Sequence, residues 1–121
     1  MNFITKDNGK HKEFSTWMLR DTNEWKPRFD LLHPLSIPYE EQMLTRFAKL
    51  LARWAIKYKE RNWEVANTKE ELDRFKESAS RHFEQWLCWE TDEDHASAVW
   101  FNIMWAEMVK YKMTKLQADE F

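Results

Sequence analysis

Three runs of apolar residues, each recurring at intervals of three and four, restrict what this chain can fold into. Leu44, Phe47, Leu51, Trp54, Ala55 and Tyr58 make the first stripe, Leu72, Phe75, Ala79, Phe83 and Trp86 the second, and Val99, Trp100, Ile103 and Met104 the third. An α-helix turns once every 3.6 residues, so this spacing gathers apolar side chains on one face, and each such face predicts a partner to bury it. Nothing reads as a strand. The expected fold class is therefore all-α, built on three long helices.

Local signals set the expected boundaries. Three prolines between Trp25 and Pro38 disfavour helix before each of them and predict an ordered, extended segment that lays Phe29, Leu31, Leu32 and Leu35 on the core. The first helix is expected from Pro38-Tyr39 to about Glu60, with Glu40 and Glu41 in its first turn. Residues 61–67 read as a loop. Thr68 followed by Glu71 is a capping-box signal for the second helix, and Thr91 followed by Asp94 is a weaker version for the third, expected to end near Lys112. The chain thus divides into a mobile arm (1–24), a helical domain (25–116) and a frayed tail (117–121).

Composition excludes several function classes. A chain of 121 residues is one domain, small enough to gain from burying a face in an oligomer. A net charge of −2 gives no bulk attraction to nucleic acid or anionic lipid, so neither is an expected partner. There is no apolar run long enough to span a membrane and no leader pattern, and the single Cys88 suits a reducing cytoplasm.

The chemistry concentrates between Arg81 and Asn102, RHFEQWLCWETDEDHASAVWFN, where two histidines, five carboxylates, an arginine and an asparagine meet at a helix end, a turn and the next helix start. With no glycine-rich phosphate loop, phosphate handling falls to metal ions and arginines. Mg²⁺ prefers carboxylate and water oxygens, and acids three or four apart on a helix share a face that can offer them. Candidates are Glu40 and Glu41, Asp73 and Glu77, and Glu93 and Asp94. Acids in a first turn also serve as partners of the helix dipole, and an acidic stripe also serves as a solvated face. His82, His95 and Asn102 flank the apolar stripes, where they either contact a ligand or are satisfied by backbone groups. Lys57, Arg61 and Arg81 either hold phosphate or end helices in solvent. A zinc site is not expected, because Cys88 has no spaced partner and no pair of histidines stands four apart.

Five segments, KPRFDLL (26–32), PYEEQMLTRFA (38–48), KYKERNWE (57–64), RFKESASRHFEQW (74–86) and ETDEDHASAVWFN (90–102), together make the chain resemble the phage dATP/dGTP diphosphohydrolases. These are grouped with the MazG-like, all-α nucleotide pyrophosphohydrolases and include the MazZ-type enzymes. The resemblance implies a MazG-like helical bundle that assembles as a homodimer or homotetramer. It further implies Mg²⁺-dependent hydrolysis, with Mn²⁺ as a possible substitute, of dGTP or dATP to the monophosphate and pyrophosphate. Carried over by position, Glu77 and Asp94 are the implied catalytic acids and, with Glu40 and Glu41, the implied metal ligands. Arg61, Asn62, Arg81, His82, His95 and Asn102 are the implied nucleotide contacts. The wider MazG signature is not reproduced, since Leu44 stands three residues after Glu41 where a third glutamate belongs. The rival reading is a non-catalytic helical interaction module on the same scaffold.

A second departure concerns tryptophan. Usage of glycine near 7% would give roughly eight in a chain this long, yet there is one glycine, Gly9, beside eight tryptophans. Trp17, Trp25, Trp54 and Trp89 stand where the family's pattern carries glycine, and Trp105 is a fifth candidate. The resemblance therefore implies a lineage in which UGA encodes glycine. Trp63, Trp86 and Trp100 fit the pattern as tryptophan.

Overall fold

The structure, a computed structural model, describes residues 3–22 and 24–119, with side chains to residue 116. It divides into two compact units, Met1–Pro34 and Leu35–Phe121.

The first unit corrects the expectation that no strand forms. β1 (His11–Glu13) and β2 (Leu19–Asp21) pair antiparallel, with His11 opposite Asp21 and Glu13 opposite Leu19. This hairpin escapes a periodicity argument because it buries no face: β1 is exposed throughout, so no apolar alternation marks it. Short-range hydrogen bonds hold it instead. The Phe14 N–H donates to Met18 O (3.0 Å), the Trp17 N–H to Phe14 O (2.8 Å), and Asn8 Nδ2 to Thr22 O (2.9 Å). The proline-flanked segment is also not extended throughout. Phe29–Leu32 forms a 3₁₀ turn, preceded by Arg28, whose guanidinium grips the Asp30 carboxylate (2.8 and 2.6 Å). The side chains of Phe29, Leu31 and Leu32 are exposed rather than buried in a core.

The second unit is helical. A 3₁₀ turn at Tyr39–Glu41 precedes α1 (Met43–Tyr58), which starts later than expected because Gln42 is extended. α2 (Lys69–Leu87) begins on the predicted capping box. The Glu71 N–H donates to Thr68 Oγ1 (3.2 Å), and Glu71 Oε1 accepts from the Thr68 N–H (3.1 Å). α3 runs His95–Asp119, so its expected cap moves: Asp94, not Thr91, takes the Ser97 N–H (3.2 Å) and hydroxyl (2.9 Å). α2 packs most extensively on α3, and α1 packs on α3 as well. No described helix is long and apolar enough to cross a membrane.

The core joins Phe47, Leu50 and Phe101 with partly buried Leu51, Trp54, Trp63, Phe75, Trp100, Met104 and Trp105. Phe47 stacks on Trp100 with centroids 4.5 Å apart, and Trp63 meets Phe101 edge-on at 5.6 Å. On α3 the buried positions are His95, Ser97, Ala98, Phe101, Asn102 and Val109, one helical face, which turns Ile103 outward against expectation. Lys112 Nζ, bonded to the carbonyls of Glu64 and Ala66, ties α3 to the loop between α1 and α2. Leu35 is exposed where burial was expected, and Tyr58, Phe83, Trp86 and Ile103 are half-exposed.

Candidate functional site

The three helices and the turn before α3 enclose a cavity of about 850 Å³. α1 contributes Arg53, Trp54 and Tyr58; α2 contributes Arg74, Phe75, Ser78, Arg81 and His82; α3 contributes Ala98, Phe101 and Asn102. The turn supplies Thr91, Asp92, Glu93 and Asp94. Guanidinium groups on two helices are thus set against an acidic turn, with an aromatic wall between them.

The arginines are weakly paired. Arg53 has no hydrogen-bond or carboxylate partner among the described residues. Arg81 reaches Glu77 only at 3.5 Å and Ser78 at 3.4 Å, and Arg74 reaches Glu77 at 3.6 Å. Such groups retain donors for an anion, because a guanidinium carries five N–H bonds.

Two histidines form the inner corner. His82 Nδ1 and His95 Nδ1 are 2.9 Å apart, and His95 Nε2 lies 2.7 Å from Asp92 Oδ1. One proton assignment satisfies both contacts with neutral rings. His95 donates its Nε2–H to the Asp92 carboxylate and accepts at Nδ1 from the His82 Nδ1–H, which leaves the His82 Nε2 lone pair as an acceptor. Burial, together with the positive charge of Arg81, holds the His82 imidazole below its ordinary pKa, and the hydrogen bond from His95 holds the Asp92 carboxyl below its own. Asn102 donates Nδ2 to Ala98 O (2.8 Å), which leaves its Oδ1 as an acceptor at the cavity.

Asp94 is differently employed. Arg46 donates to both of its oxygens (2.9 and 2.6 Å) while Ser97 caps against them. Burial alone would raise the Asp94 pKa, but the Arg46 and Ser97 hydrogen bonds outweigh it and keep the group ionised. Arg46 also feels the charge of Glu41.

The expected site residues therefore separate. Arg81, His82, Asp94 and Asn102 line the cavity, and His95 stands behind His82. Glu77 lies beside Arg74 and Arg81 but not in the lining. Glu40 pairs with Lys49, and Arg61 pairs with Glu64 (2.8 Å) in the turn that also holds Asn62. Glu40, Glu41, Arg61 and Asn62 are not in the cavity lining. Glu40, Glu41, Glu77 and Asp94 form no cluster of three metal-ligating groups among the described residues. Three groups do converge among the described residues: His82, Glu93 and His95, and Glu90, Asp92 and His95, beside the cavity, and Asp7, His11 and Asp21 in the hairpin unit, each with ligand atoms within 4.8 Å of one another. Arg53, Arg74, Asp92 and the aromatic wall went unselected as site residues in the sequence. Arg53 and Arg74 adjoin the stripe residues Trp54 and Phe75, which sets them at a stripe's edge but does not single them out.

Fold and site together define a small helical domain whose cleft opposes guanidinium groups to carboxylates, a chemistry suited to a phosphorylated ligand accompanied by a cation. The sequence profile described as dATP/dGTP diphosphohydrolase, N-terminal, matches residues 19–119, and the chain belongs to that family. No curated protein and no solved structure matches the sequence.

Proposed function

We propose that the cavity binds a purine deoxynucleoside triphosphate, dGTP or dATP, and hydrolyses it to the monophosphate and pyrophosphate. The observation that carries this reading is Arg53, an arginine with no partner among the described residues, on the wall of a cavity that also holds Arg74, Arg81 and three acidic residues. Arg53, Arg74 and Arg81 hold the phosphates, since guanidinium groups match phosphate oxygens in charge and geometry. The base stacks on the wall of Tyr58 and Phe101, while His82 Nε2 and Asn102 Oδ1 accept hydrogen bonds from its exocyclic N–H groups.

A divalent ion, Mg²⁺ or Mn²⁺, would be held by carboxylate oxygens of Asp92 and Glu93 on the acidic turn facing those arginines. When bound, such an ion neutralises the triphosphate and lowers the pKa of a coordinated water. In the protomer Glu77 orients Arg81, and Asp94 anchors the acidic turn through Arg46. The family-implied metal role of Glu40, Glu41, Glu77 and Asp94 then requires ligands brought together by assembly or by the nucleotide. Half-exposed Phe83, Trp86 and Ile103 suit a MazG-like homodimer or homotetramer. The setting in this reading is phage nucleotide metabolism in the host cytoplasm.

The test is incubation with dGTP or dATP and Mg²⁺ or Mn²⁺, with chromatographic assay of monophosphate. Turnover that needs the ion and falls on Arg53→Ala supports the reading. No turnover of either nucleotide, with helical circular dichroism intact, favours the interaction module instead.

A further inference from the structure

Three tryptophans have left-handed backbones: φ is 69° at Trp17, 66° at Trp25 and 58° at Trp89. In this region the Cβ of an L-residue crowds the following carbonyl oxygen, which glycine avoids by having no Cβ, and a bulky residue there is an outlier. Lys59 and Arg61 share the sign, so sign alone does not require glycine. The local hydrogen bonds say more.

At the end of α2 the Glu90 N–H donates to Gln85 O (3.1 Å) and the Trp89 N–H donates to Trp86 O (3.0 Å). With Cys88 as the C-cap, these are the two bonds of a Schellman motif, and residue 89 occupies its left-handed position, where glycine is the usual residue. In the hairpin, the Trp17 N–H closes a turn onto Phe14 O while the Phe14 N–H reaches Met18 O. That is a three-residue loop whose last residue is left-handed, again a glycine position. Burial offers no compensation, because Trp17, Trp25 and Trp89 are 80%, 93% and 80% exposed. Gly9, the one glycine in the sequence, also has positive φ, at 73°.

We infer that residues 17 and 89 are glycine in the working protein, and that tryptophan there, and at the equally left-handed and more exposed residue 25, is a reading of UGA codons that the source organism decodes as glycine. Residue 89 is then a positioning residue: it ends α2 and turns the chain into the segment 91–94 that walls the cavity. Trp54 and Trp105 lie within α1 and α3, where the backbone makes no such demand, although the buried Trp105 Nε1 has no acceptor among the described residues.

Two measurements test this. The gene should carry UGA at codons 17, 25 and 89 and UGG at 63, 86 and 100; UGG at any of the first three overturns the inference for that position. In the protein, combining Trp17→Gly, Trp25→Gly and Trp89→Gly should raise Tm by about 4 °C or more. The matching alanine variants, which remove the indoles but keep Cβ, should not reach that rise. A glycine variant that melts no higher than the alanine variant contradicts the backbone account.

Discussion

His82 and His95 meet through their Nδ1 atoms at 2.9 Å, inside a chain of contacts that begins at the Asp92 carboxylate and ends on a lone pair at the cavity. The pair works only when one ring donates and the other accepts, so its protonation state is part of the structure. Its pH dependence follows. The folded-state pKa of His82 is depressed by burial, so the unfolded chain binds the proton more readily. The stability this group contributes is full above its ordinary value of 6.5 and is lost as the pH falls through that value toward the folded pKa. Tm should therefore drop between pH 7 and pH 5, and His82→Gln should flatten that slope. An unchanged slope in the variant contradicts the assignment.

Asp94 should matter first for stability. Removing its carboxylate strips two hydrogen bonds from Arg46 and the cap from α3, so Asp94→Ala is expected to cost about 1–3 kcal/mol. Asp94→Asn, which can still cap, should cost less. Urea denaturation with an unchanged slope reads both, and equal midpoints for Asp94→Ala and the parent would rule out the anchoring role.

Arg53 should show the opposite profile. Lacking a partner among the described residues, it can be changed to alanine within about 0.5 kcal/mol of parental stability. KM for dGTP should nevertheless rise at least about tenfold, equivalent to about 1.4 kcal/mol of lost binding. A variant with unchanged KM removes Arg53 from the phosphate site.

The capping box at α2 separates fold from function. Thr68→Ala should cost about 1 kcal/mol, because Thr68 Oγ1 accepts the otherwise unpaired Glu71 N–H. Activity per folded molecule should be unchanged, by thermal melts paired with initial rates.

The helical unit was legible in the sequence because its signals are local: the stripes place Phe47, Trp54 and Phe75 inside, and Thr68 with Glu71 marks the start of α2 to the residue. The hairpin was not legible, because His11, Lys12 and Glu13 have no buried face and are held by a turn and by Asn8. The site was legible in part. Arg81, His82, His95 and Asn102 fall within one dense stretch, and the fold brings them to or beside one cavity. Arg53 and Arg74 come from segments whose side chains converge only after packing, and no spacing rule reveals that. The four acids inferred by family position illustrate the same limit: Glu40 is claimed by Lys49 and Asp94 by Arg46, pairings that exist only in three dimensions.

The proposed reaction is cleavage of a purine deoxynucleoside triphosphate between its α- and β-phosphates in the cavity. ³¹P NMR of the protein with dGTP and Mg²⁺ reads this directly. The account predicts the pyrophosphate resonance growing in step with that of dGMP; orthophosphate with dGDP, or a triphosphate spectrum unchanged by active-site concentrations of folded protein, contradicts it.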